Sequence, residues 1–298
     1  MILVLGDIGE DVFGFVVSRL AEARAEFMLV DARAPREAVD LAWRPEPNHV
    51  GGWIRSGDRT AATAELRSIY VRDVGRPEHT PSAGTTIARS GMLEGLPCLV
   101  VNRPSAMASN ASKPYQAQLI SRSGLRVPQT LVTTIPAEAA RFYDRYDGRV
   151  VFKSVSYLRS IVRRMTPDDL GRLERVRGTP TQFQEYVPGI DIRVHVVGDE
   201  LFATEVLSTA TDYRYAVRED RTVLMRDMEL PPRVEHSCRS LASLLGLEFA
   251  GIDLRRTPDD RWFCFEANGS PGFTYFQALS GQPIGDALVA LLMAGGRA

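Results

Sequence analysis

The chain has 298 residues, of which 44% are hydrophobic and 24% are charged, and its formal net charge is −1. A chain of this length can bury a substantial core and predicts two or three packed lobes. The near-zero charge gives no support for a broad surface that binds nucleic acid or membrane, and no apolar stretch approaches the length needed to span a bilayer. MILVLG at the N-terminus lacks a basic flank and a cleavage site, which predicts a core strand and not a signal peptide.

The first part of the chain has the pattern of a parallel α/β lobe. MILVLG is followed by an amphipathic segment and by a second apolar strand, FMLVDAR, which together predict a β-α-β unit. Residues 45–58 resemble a short hairpin, and LRSIYVRDV and PCLVVNRP predict two further strands with a helix between them, around residues 76–95. We expect residues 1–104 to form this lobe.

Residues 105–188 are expected to form a second lobe. Ser112 is placed to cap a helix that Gly124 ends. VPQTLVT, RVVFKSVS and TQFQEYVPG predict three strands, and PAEAARFYDRY predicts a helix between the first two.

Residues 189–298 are expected to form the third lobe. DIRVHVVGDELFATEVL predicts a hairpin with its turn at Gly198 and Asp199. A helix is predicted to end at Gly246, a second hairpin turns at residues 258–260, and PIGDALVALLMAG predicts the closing helix. No internal repeat and no flexible linker is evident, so the lobes are expected to pack together.

Three cysteines, Cys98, Cys238 and Cys264, lie far apart in the chain. Their spacing matches no zinc-binding pattern, and their number is odd. We therefore expect buried free thiols in a protein of the reducing cytoplasm.

The most informative stretch is WFCFEANGSPGF, residues 262–273. Alternation along a strand places the oxygen-bearing side chains of Glu266 and Asn268 on one face. The same alternation places three apolar residues on the other face: Phe263, Phe265 and Ala267. A charged side chain on such a strand is costly unless something pairs with it.

A turn centred on Asp259 and Asp260 places Asp253 directly opposite Glu266. Like charges in that position destabilise a hairpin unless a cation lies between them. Two carboxylates and an amide oxygen form a donor set suited to Mg²⁺. The alternative is an exposed hairpin whose acids are solvated or paired with Arg255.

Lys113 and Lys153 are the only lysines in the sequence. Lys153 follows an apolar strand segment, from which its compact charge can reach a phosphate, and Lys113 stands at the start of a helix, where anions are favoured. A solvated surface position is the alternative for either. Asp191 and Arg193 share a face of the next strand; Asp191 suits ribose hydroxyls, and Arg193 suits a phosphate or carboxylate, or pairs with Asp191 or Glu205.

Lys113, Lys153, QEYVPGIDIRVHVVGD, Asp253 and FEANGSPG occur in the order and approximate spacing of the ATP-grasp ligases. The chain most resembles the branch containing the ribosomal-protein glutamate ligase and the graspetide macrocyclases, over about residues 100–290. This resemblance implies an α/β protein with α+β lobes, in which an ATP-grasp fold follows an N-terminal parallel α/β pre-ATP-grasp lobe.

The resemblance also implies the cofactors and their sites. Mg²⁺, or Mn²⁺ in its place, would be held by Asp253, Glu266 and Asn268, and Arg193 and Lys153 would be catalytic. The residues implied for ATP are Lys113, Lys153, Gln184, Glu185, Tyr186, Val187 and Asp191. The family's chemistry transfers the γ-phosphoryl group to a carboxylate, and a nucleophile then attacks the acyl phosphate.

Two features bear on the substrate. NGSPGF is nearer to the glutamate-ligase and alanine–alanine-ligase type, in which backbone N–H groups approach a carboxylate or a tetrahedral intermediate. After Lys153, SVSYLRSIVRRM has Ser and Arg where many relatives have Gly, so this basic loop either clamps an anion or is simply solvated. The substrate-binding candidates are Arg159, Arg193, Asp212, Arg214, Ser270 and Gly272.

The leading hypothesis is therefore an ADP-forming carboxylate–amine ligase that acts on an amino acid or a peptide. A graspetide-type macrocyclase that forms side-chain esters or amides is the alternative within this chemistry, and a nucleotide-binding regulator without turnover is the alternative outside it. The expected partners are a small-molecule or peptide carboxylate and a nucleophile, without nucleic acid or membrane. The resemblance implies a homodimer or homotetramer.

Overall fold

The computed structural model describes residues 1–33, 39–46, 49–72, 83–155, 162–208 and 223–296. In this part of the chain the strands form four sheets. No helix among these residues has both the length and the apolar character needed to cross a membrane.

In the first lobe the described residues form seven strands: β1 (Ile2–Gly6), β2 (Phe27–Asp31), β3 (Val39–Glu46), β4 (His49–Ser56), β5 (Arg59–Ala62), β6 (Ser68–Arg72) and β7 (Leu99–Val101). Its helices are α1 (Asp11–Glu22) and α2 (Ala83–Gly95). Four of the strands form a parallel sheet in the order β2-β1-β6-β7, which confirms the predicted β-α-β opening. The Glu10 side chain caps α1 by accepting a hydrogen bond from the Phe13 N–H.

The hairpin predicted within residues 45–58 is wrong. HVGGWIRS is one continuous strand, β4, which pairs with β3 on one side and with β5 on the other. The result is a three-stranded antiparallel sheet. The two glycines inside the stretch suggested a turn, but the chain reverses after Ser56, at Gly57 and Asp58.

In the middle of the chain, the part that the structure describes contains four α-helices and four strands. The helices are α3 (Pro104–Met107), α4 (Lys113–Arg122), α5 (Pro136–Arg145) and α6 (Pro167–Leu170). The strands are β8 (Thr130–Thr133), β9 (Val150–Ser154), β10 (Arg163–Arg164) and β11 (Thr181–Glu185). They form an antiparallel sheet in the order β10-β9-β11-β8, which we call the small-lobe sheet.

Helix α4 begins and ends where it was expected, with one difference in its capping. Ser112 is the N-cap residue, but its side chain makes no capping hydrogen bond. After the helix, Gly124 has a φ of 87°, a left-handed conformation that glycine adopts without strain. The helix therefore depends on its tertiary contacts more than on its N-cap.

The described residues of the last part of the chain form five strands: β12 (Ile190–Val197), β13 (Glu200–Ser208), β14 (Val223–Met228), β15 (Phe249–Arg256) and β16 (Trp262–Asn268). Its helices are α7 (Pro232–Leu244), α8 (Thr274–Ser280) and α9 (Ile284–Ala294). The strands form an antiparallel sheet in the order β14-β13-β12-β15-β16, and the predicted turn at Gly198 and Asp199 is confirmed. We call this the large sheet.

The large sheet has two differently covered faces. One face packs against α4 and α7 through residues such as Ile120, Leu241 and Ile252. The other face shares a core with β1, α1, α8 and α9, in which Val4, Phe249 and Leu288 are buried together. The first lobe and the large sheet therefore have a common hydrophobic core.

Candidate functional site

The acidic residues of the last hairpin face each other. In the β15–β16 register Asp253 is paired with Glu266, and Gly251 is paired with Asn268. Directly paired residues of antiparallel strands project from the same face of the sheet. The predicted opposition of Asp253 and Glu266 is therefore confirmed, and Asn268 lies on the same face.

A bulge in β16 changes the predicted faces. Nearer the turn, Leu254 pairs with Cys264, so Phe265 is an extra residue without a partner of its own. The apolar face of β16 consequently consists of Trp262, Cys264 and Ala267, which are buried against α7. The predicted grouping of Phe263, Phe265 and Ala267 on one face is wrong, because strict alternation does not hold across a bulge.

Each of the two opposed carboxylates is paired with a cation. Arg193 Nη1 lies 2.6 Å from Asp253 Oδ1, and Lys113 Nζ lies 3.0 Å from Glu266 Oε2. All four side chains are largely buried, with exposed fractions of 8% and 24% for the first pair and 12% and 20% for the second. Among the described residues the acids are therefore neither solvated nor paired with Arg255. Two of the three predicted metal ligands, Asp253 and Glu266, lie within hydrogen-bonding distance of predicted anion-binding residues.

Arg193 occupies its position because residue 251 has no side chain. A Cβ at Gly251 would lie 2.6 Å from Arg193 Cζ and 2.6 Å from Pro271 Cβ, inside van der Waals contact. The guanidinium also lies over the ring of Phe276, with Cζ 5.5 Å from the ring centroid. Gly251 is a site residue that was not predicted, although its place two residues before Asp253 on the same strand face was visible in the sequence.

A second pair lies at the other end of this face. Arg255 Nε donates to Asp191 Oδ1 at 2.8 Å, and Arg255 Nη1 donates to the carbonyl of Val187 at 2.9 Å. Neither predicted alternative for Arg193, a pair with Asp191 or with Glu205, is formed. Glu205 lies on the opposite face of the large sheet, where Arg226 and Arg256 contact it.

The residues predicted to contact adenine, from Glu185 to Val187, lie at the end of β11 and the start of the connection to β12. The N–H groups of Glu185 and Tyr186 donate to the carbonyls of Gln129 and Arg149 in the small lobe. The Val187 carbonyl already accepts one hydrogen bond from Arg255, so an adenine contact at this oxygen would share it with that guanidinium. Gln184 is buried and donates to Thr130 Oγ1 at 3.0 Å.

Lys153 is buried in the small-lobe sheet, directly opposite Gln182 on β11. Gln182 Oε1 is itself buried and accepts no hydrogen bond among the described residues. A cavity of about 340 Å³ includes Lys153 in its lining. The other charged residues that line this cavity are Arg163, Arg172, Arg175 and Asp169. Arg163 pairs with Phe152, the residue before Lys153, so the cavity lies on the sheet face opposite the Lys153 side chain.

The edge of β16 is held by a residue that was not predicted. Gln116 Nε2 donates to the Ala267 carbonyl at 2.7 Å, and Gln116 Oε1 accepts from the Ala267 N–H at 3.0 Å. The buried amide of α4 thus continues the hydrogen-bonding ladder beyond the last strand. Since Ala267 stands between Glu266 and Asn268, this contact orients both neighbours, and Gln116 lies one turn after Lys113 on the same helix.

The substrate candidates in NGSPGF differ in what they offer. The Ser270 N–H donates to Asn268 Oδ1 at 2.8 Å, so this amide is engaged inside the protein. Gly272 is exposed, and a Cβ added there would meet no heavy atom within 4 Å. The remaining candidates Arg159, Asp212 and Arg214 lie outside the described residues.

The donor set fits a hard divalent cation. Within the described ranges no group of three or more His, Cys, Asp or Glu side chains is placed to hold a metal ion. Asp253, Glu266 and Asn268 instead offer oxygen donors only, and all three retain partial exposure. Such an incomplete, all-oxygen set suits Mg²⁺, which keeps water and phosphate oxygens among its ligands.

Comparison with known proteins places the chain in a family. The model of the RimK-like ATP-grasp domain matches residues 110–292, more than half of the chain. The protein therefore belongs to the RimK-like ATP-grasp family, and the fold is the predicted ATP-grasp fold with an N-terminal parallel sheet. Its resemblance to ATP-dependent ligases, stated from sequence motifs, is thereby confirmed.

Individual relatives are ligases. The alpha-aminoadipate–LysW ligase LysX of Sulfurisphaera tokodaii is 27% identical over 212 residues, which are 66% of this chain and 72% of that protein. The ATP-grasp ligase PsnB, solved with a precursor variant, Mg and ADP, has a TM-score of 0.83 at 23% identity and covers 99% of this chain and 98% of its own. The macrocyclase MdnC of Microcystis aeruginosa, bound with precursor peptide MdnA, has a TM-score of 0.81 at 21% identity, with 98% and 99% covered. These two structures support the fold.

We predict that Gly251→Ala displaces Arg193, because the new methyl group would occupy the volume of its guanidinium. The free energy of unfolding should fall by about 1–3 kcal/mol, as overpacking usually costs, measured by urea denaturation. In an Arg193→Ala background the same change should cost clearly less. Gly178→Ala is the matched control, since a Cβ there meets nothing within 4 Å; equal costs in both backgrounds would contradict the packing argument.

Proposed function

We propose that the protein is an ADP-forming carboxylate–amine ligase that acts through an acyl phosphate on an amino acid or a peptide. The observation that carries this proposal is the pair of opposed carboxylates, Asp253 and Glu266, each held by a cation that suits phosphate or carboxylate. Two acids that face each other in a largely buried site need positive charge, and an Mg²⁺–triphosphate complex would supply the charge and use the displaced cations.

The residues have separate roles in this proposal. Asp253, Glu266 and Asn268 would hold Mg²⁺, which when bound neutralises charge on the phosphate oxygens. Lys113 and Lys153 would hold phosphates, and Asp191 would accept hydrogen bonds from the ribose. The segment from Gln184 to Val187 would contact adenine, and the orphaned oxygen of Gln182 is a further acceptor on that strand.

Ligand binding would then require an exchange of partners. Lys113 leaves Glu266 for a phosphate oxygen, and Arg193 leaves Asp253 for the γ-phosphate or for the substrate carboxylate. Both cations are already positioned by packing, so the exchange reorients charged groups over short distances. Positioning and charge neutralisation are the main contributions that a protein makes to phosphoryl transfer.

The similar proteins suggest two kinds of substrate, an amino acid joined to a second molecule and a single peptide. The similarity to LysX, which is named as an alpha-aminoadipate–LysW ligase, favours an amino acid that is joined to another molecule. The similarity to PsnB and MdnC extends over the whole chain, including the first lobe, and both were solved with precursor peptides. The second candidate is therefore a peptide macrocyclase that links side chains of one peptide.

The direct test is ADP release with Mg·ATP over a panel of amino acids, acidic dipeptides and peptides encoded beside the gene. We expect substrate-dependent ADP formation together with a product lighter by one water than its precursors, detected by mass spectrometry. An intramolecular loss of water identifies a macrocyclase, and joined molecules identify a ligase of separate substrates. Nucleotide binding without ADP release across the panel would favour a regulator and overturn the proposal.

We predict that Asp253→Asn and Glu266→Gln each abolish ADP release and weaken Mn²⁺ binding in the presence of a non-hydrolysable ATP analogue. Each change also leaves a largely buried cation without its carboxylate, so the free energy of unfolding should fall by about 1–3 kcal/mol. Asp40→Asn, in an exposed pair with Arg55, is the control and should shift stability by no more than about 0.5 kcal/mol. Wild-type turnover in either site variant would show that the metal assignment is wrong.

Lys153→Ala should weaken ATP binding more than it weakens the fold. Removing a buried positive charge beside the phosphates should raise the dissociation constant by about tenfold or more, the factor that 1.4 kcal/mol represents, measured by calorimetry. Arg149→Ala, which removes an exposed charge from the same lobe, should leave the constant unchanged. An unaltered dissociation constant in Lys153→Ala would remove this residue from the nucleotide site.

A further inference from the structure

The loop of residues 269–272, which follows the proposed metal ligands, is held through its carbonyl groups. Asn102 Nδ2 donates to the Gly269 carbonyl at 2.5 Å. Arg72 Nη1 donates to the Pro271 carbonyl at 2.9 Å. His195 Nε2 lies 3.1 Å from the Gly272 carbonyl, at hydrogen-bonding distance. Three of the four carbonyls in this loop therefore contact buried side chains.

Arg72 makes the most extensive of these contacts. Its side chain is 6% exposed, and besides the Pro271 carbonyl it donates to Ser270 Oγ at 3.1 Å. It comes from the end of β6 in the first lobe, nearly 200 residues away in sequence. Arg72 therefore contacts two successive residues of the loop from outside the large sheet.

Arg72 is itself fixed by Glu10. Arg72 Nε and Nη2 donate to the two carboxylate oxygens of Glu10 at 2.8 and 2.9 Å, a bidentate arrangement. Burial would raise the pKa of Glu10, but the hydrogen bonds and charge of Arg72 hold it below its usual value. Glu10 also caps α1 by accepting from the Phe13 N–H, so the carboxylate that binds the guanidinium is itself fixed.

The open side of the loop is the side away from these donors. Gly272 is exposed and has free space around its Cα, whereas the carbonyls of Pro271 and Gly272 are turned toward buried groups. Rotating either peptide would leave buried donors unsatisfied, which is unfavourable. The loop therefore presents its backbone in one orientation before any ligand binds.

We propose that Arg72 is a positioning residue for the substrate end of the site, which orients the backbone of residues 270–272 so that the Gly272 N–H can contact a substrate carboxylate or the oxyanion formed from it. The expected effect on turnover rests on the proposed function, whereas the fixing of the loop by Arg72 does not. The first lobe would thus contribute to turnover by fixing this loop, without touching the nucleotide. Glu10 contributes to the same positioning indirectly, because it binds Arg72.

The test compares Arg72→Lys with the charge-neutral double variant Glu10→Gln/Arg72→Met, which avoids leaving a carboxylate unpaired. Amide hydrogen exchange of a peptide covering residues 262–273 should become faster in both variants, with the smaller change in Arg72→Lys. The dissociation constant of ATP should stay within about twofold, and substrate-dependent kcat should fall by about tenfold to a hundredfold, as expected for a displaced substrate-contacting group. Arg55→Met/Asp40→Asn, an exposed pair on β3 and β4, is the matched control.

The outcomes separate this inference from the proposed function. If folded variants show unchanged exchange in the loop, or unchanged kcat, Arg72 is only a link between lobes and the inference is wrong. If the wild-type protein turns over no substrate of the panel, the proposed function fails, and the exchange measurement still decides whether Arg72 fixes the loop. Should the double variant not fold, Ser270→Ala removes one hydrogen-bond partner of Arg72 and should also accelerate exchange; unchanged exchange there would overturn the inference.

Discussion

The site depends on two carboxylates that the last hairpin forces to face each other. Direct opposition of Asp253 and Glu266 is unfavourable by itself, and the structure offsets it with one cation from β12 and one from α4. These cations come from elements far apart in sequence, so the acid pair also fixes how the helix and the sheet meet. In the proposed function a divalent cation would bring two positive charges to the two acids, as many as Arg193 and Lys113 supply in the structure.

The rest of the architecture supports this arrangement from two sides. On the far side of the large sheet, α4 covers the edge of β16, and Gln116 continues the strand ladder at Ala267, between Glu266 and Asn268. On the near side, the common core of the first lobe and the large sheet brings Arg72 and Asn102 to the loop that follows Asn268. Gly251 completes the arrangement, because the absence of its side chain provides the space that Arg193 fills.

Much of the fold was predictable because its elements are locally consistent. The β-α-β opening, the turn at Gly198 and the closing helix each follow from periodicity and turn chemistry. The opposition of Asp253 and Glu266 was also predicted, but two departures from the assumed register cancel. Next to the turn Arg256 pairs with Trp262 and not with Phe263, and the bulge at Phe265 restores the register at the acids. A bulge depends on how β16 packs between α4 and β15, and the alternation of residues in the sequence does not predict it.

What the sequence determined by itself was the chemistry available: two lysines, an oxygen-only donor set and a loop of small residues after it, in an order shared with a family of ligases. Residue types and their order along the chain are local information, so they can be read without knowledge of the packing. The tertiary structure alone decided which charges meet. Arg193 pairs with Asp253, and Arg72 contacts Ser270, nearly 200 residues away in sequence. Such contacts depend on which side chains the folded lobes bring together, and the order of residues along the chain does not specify this.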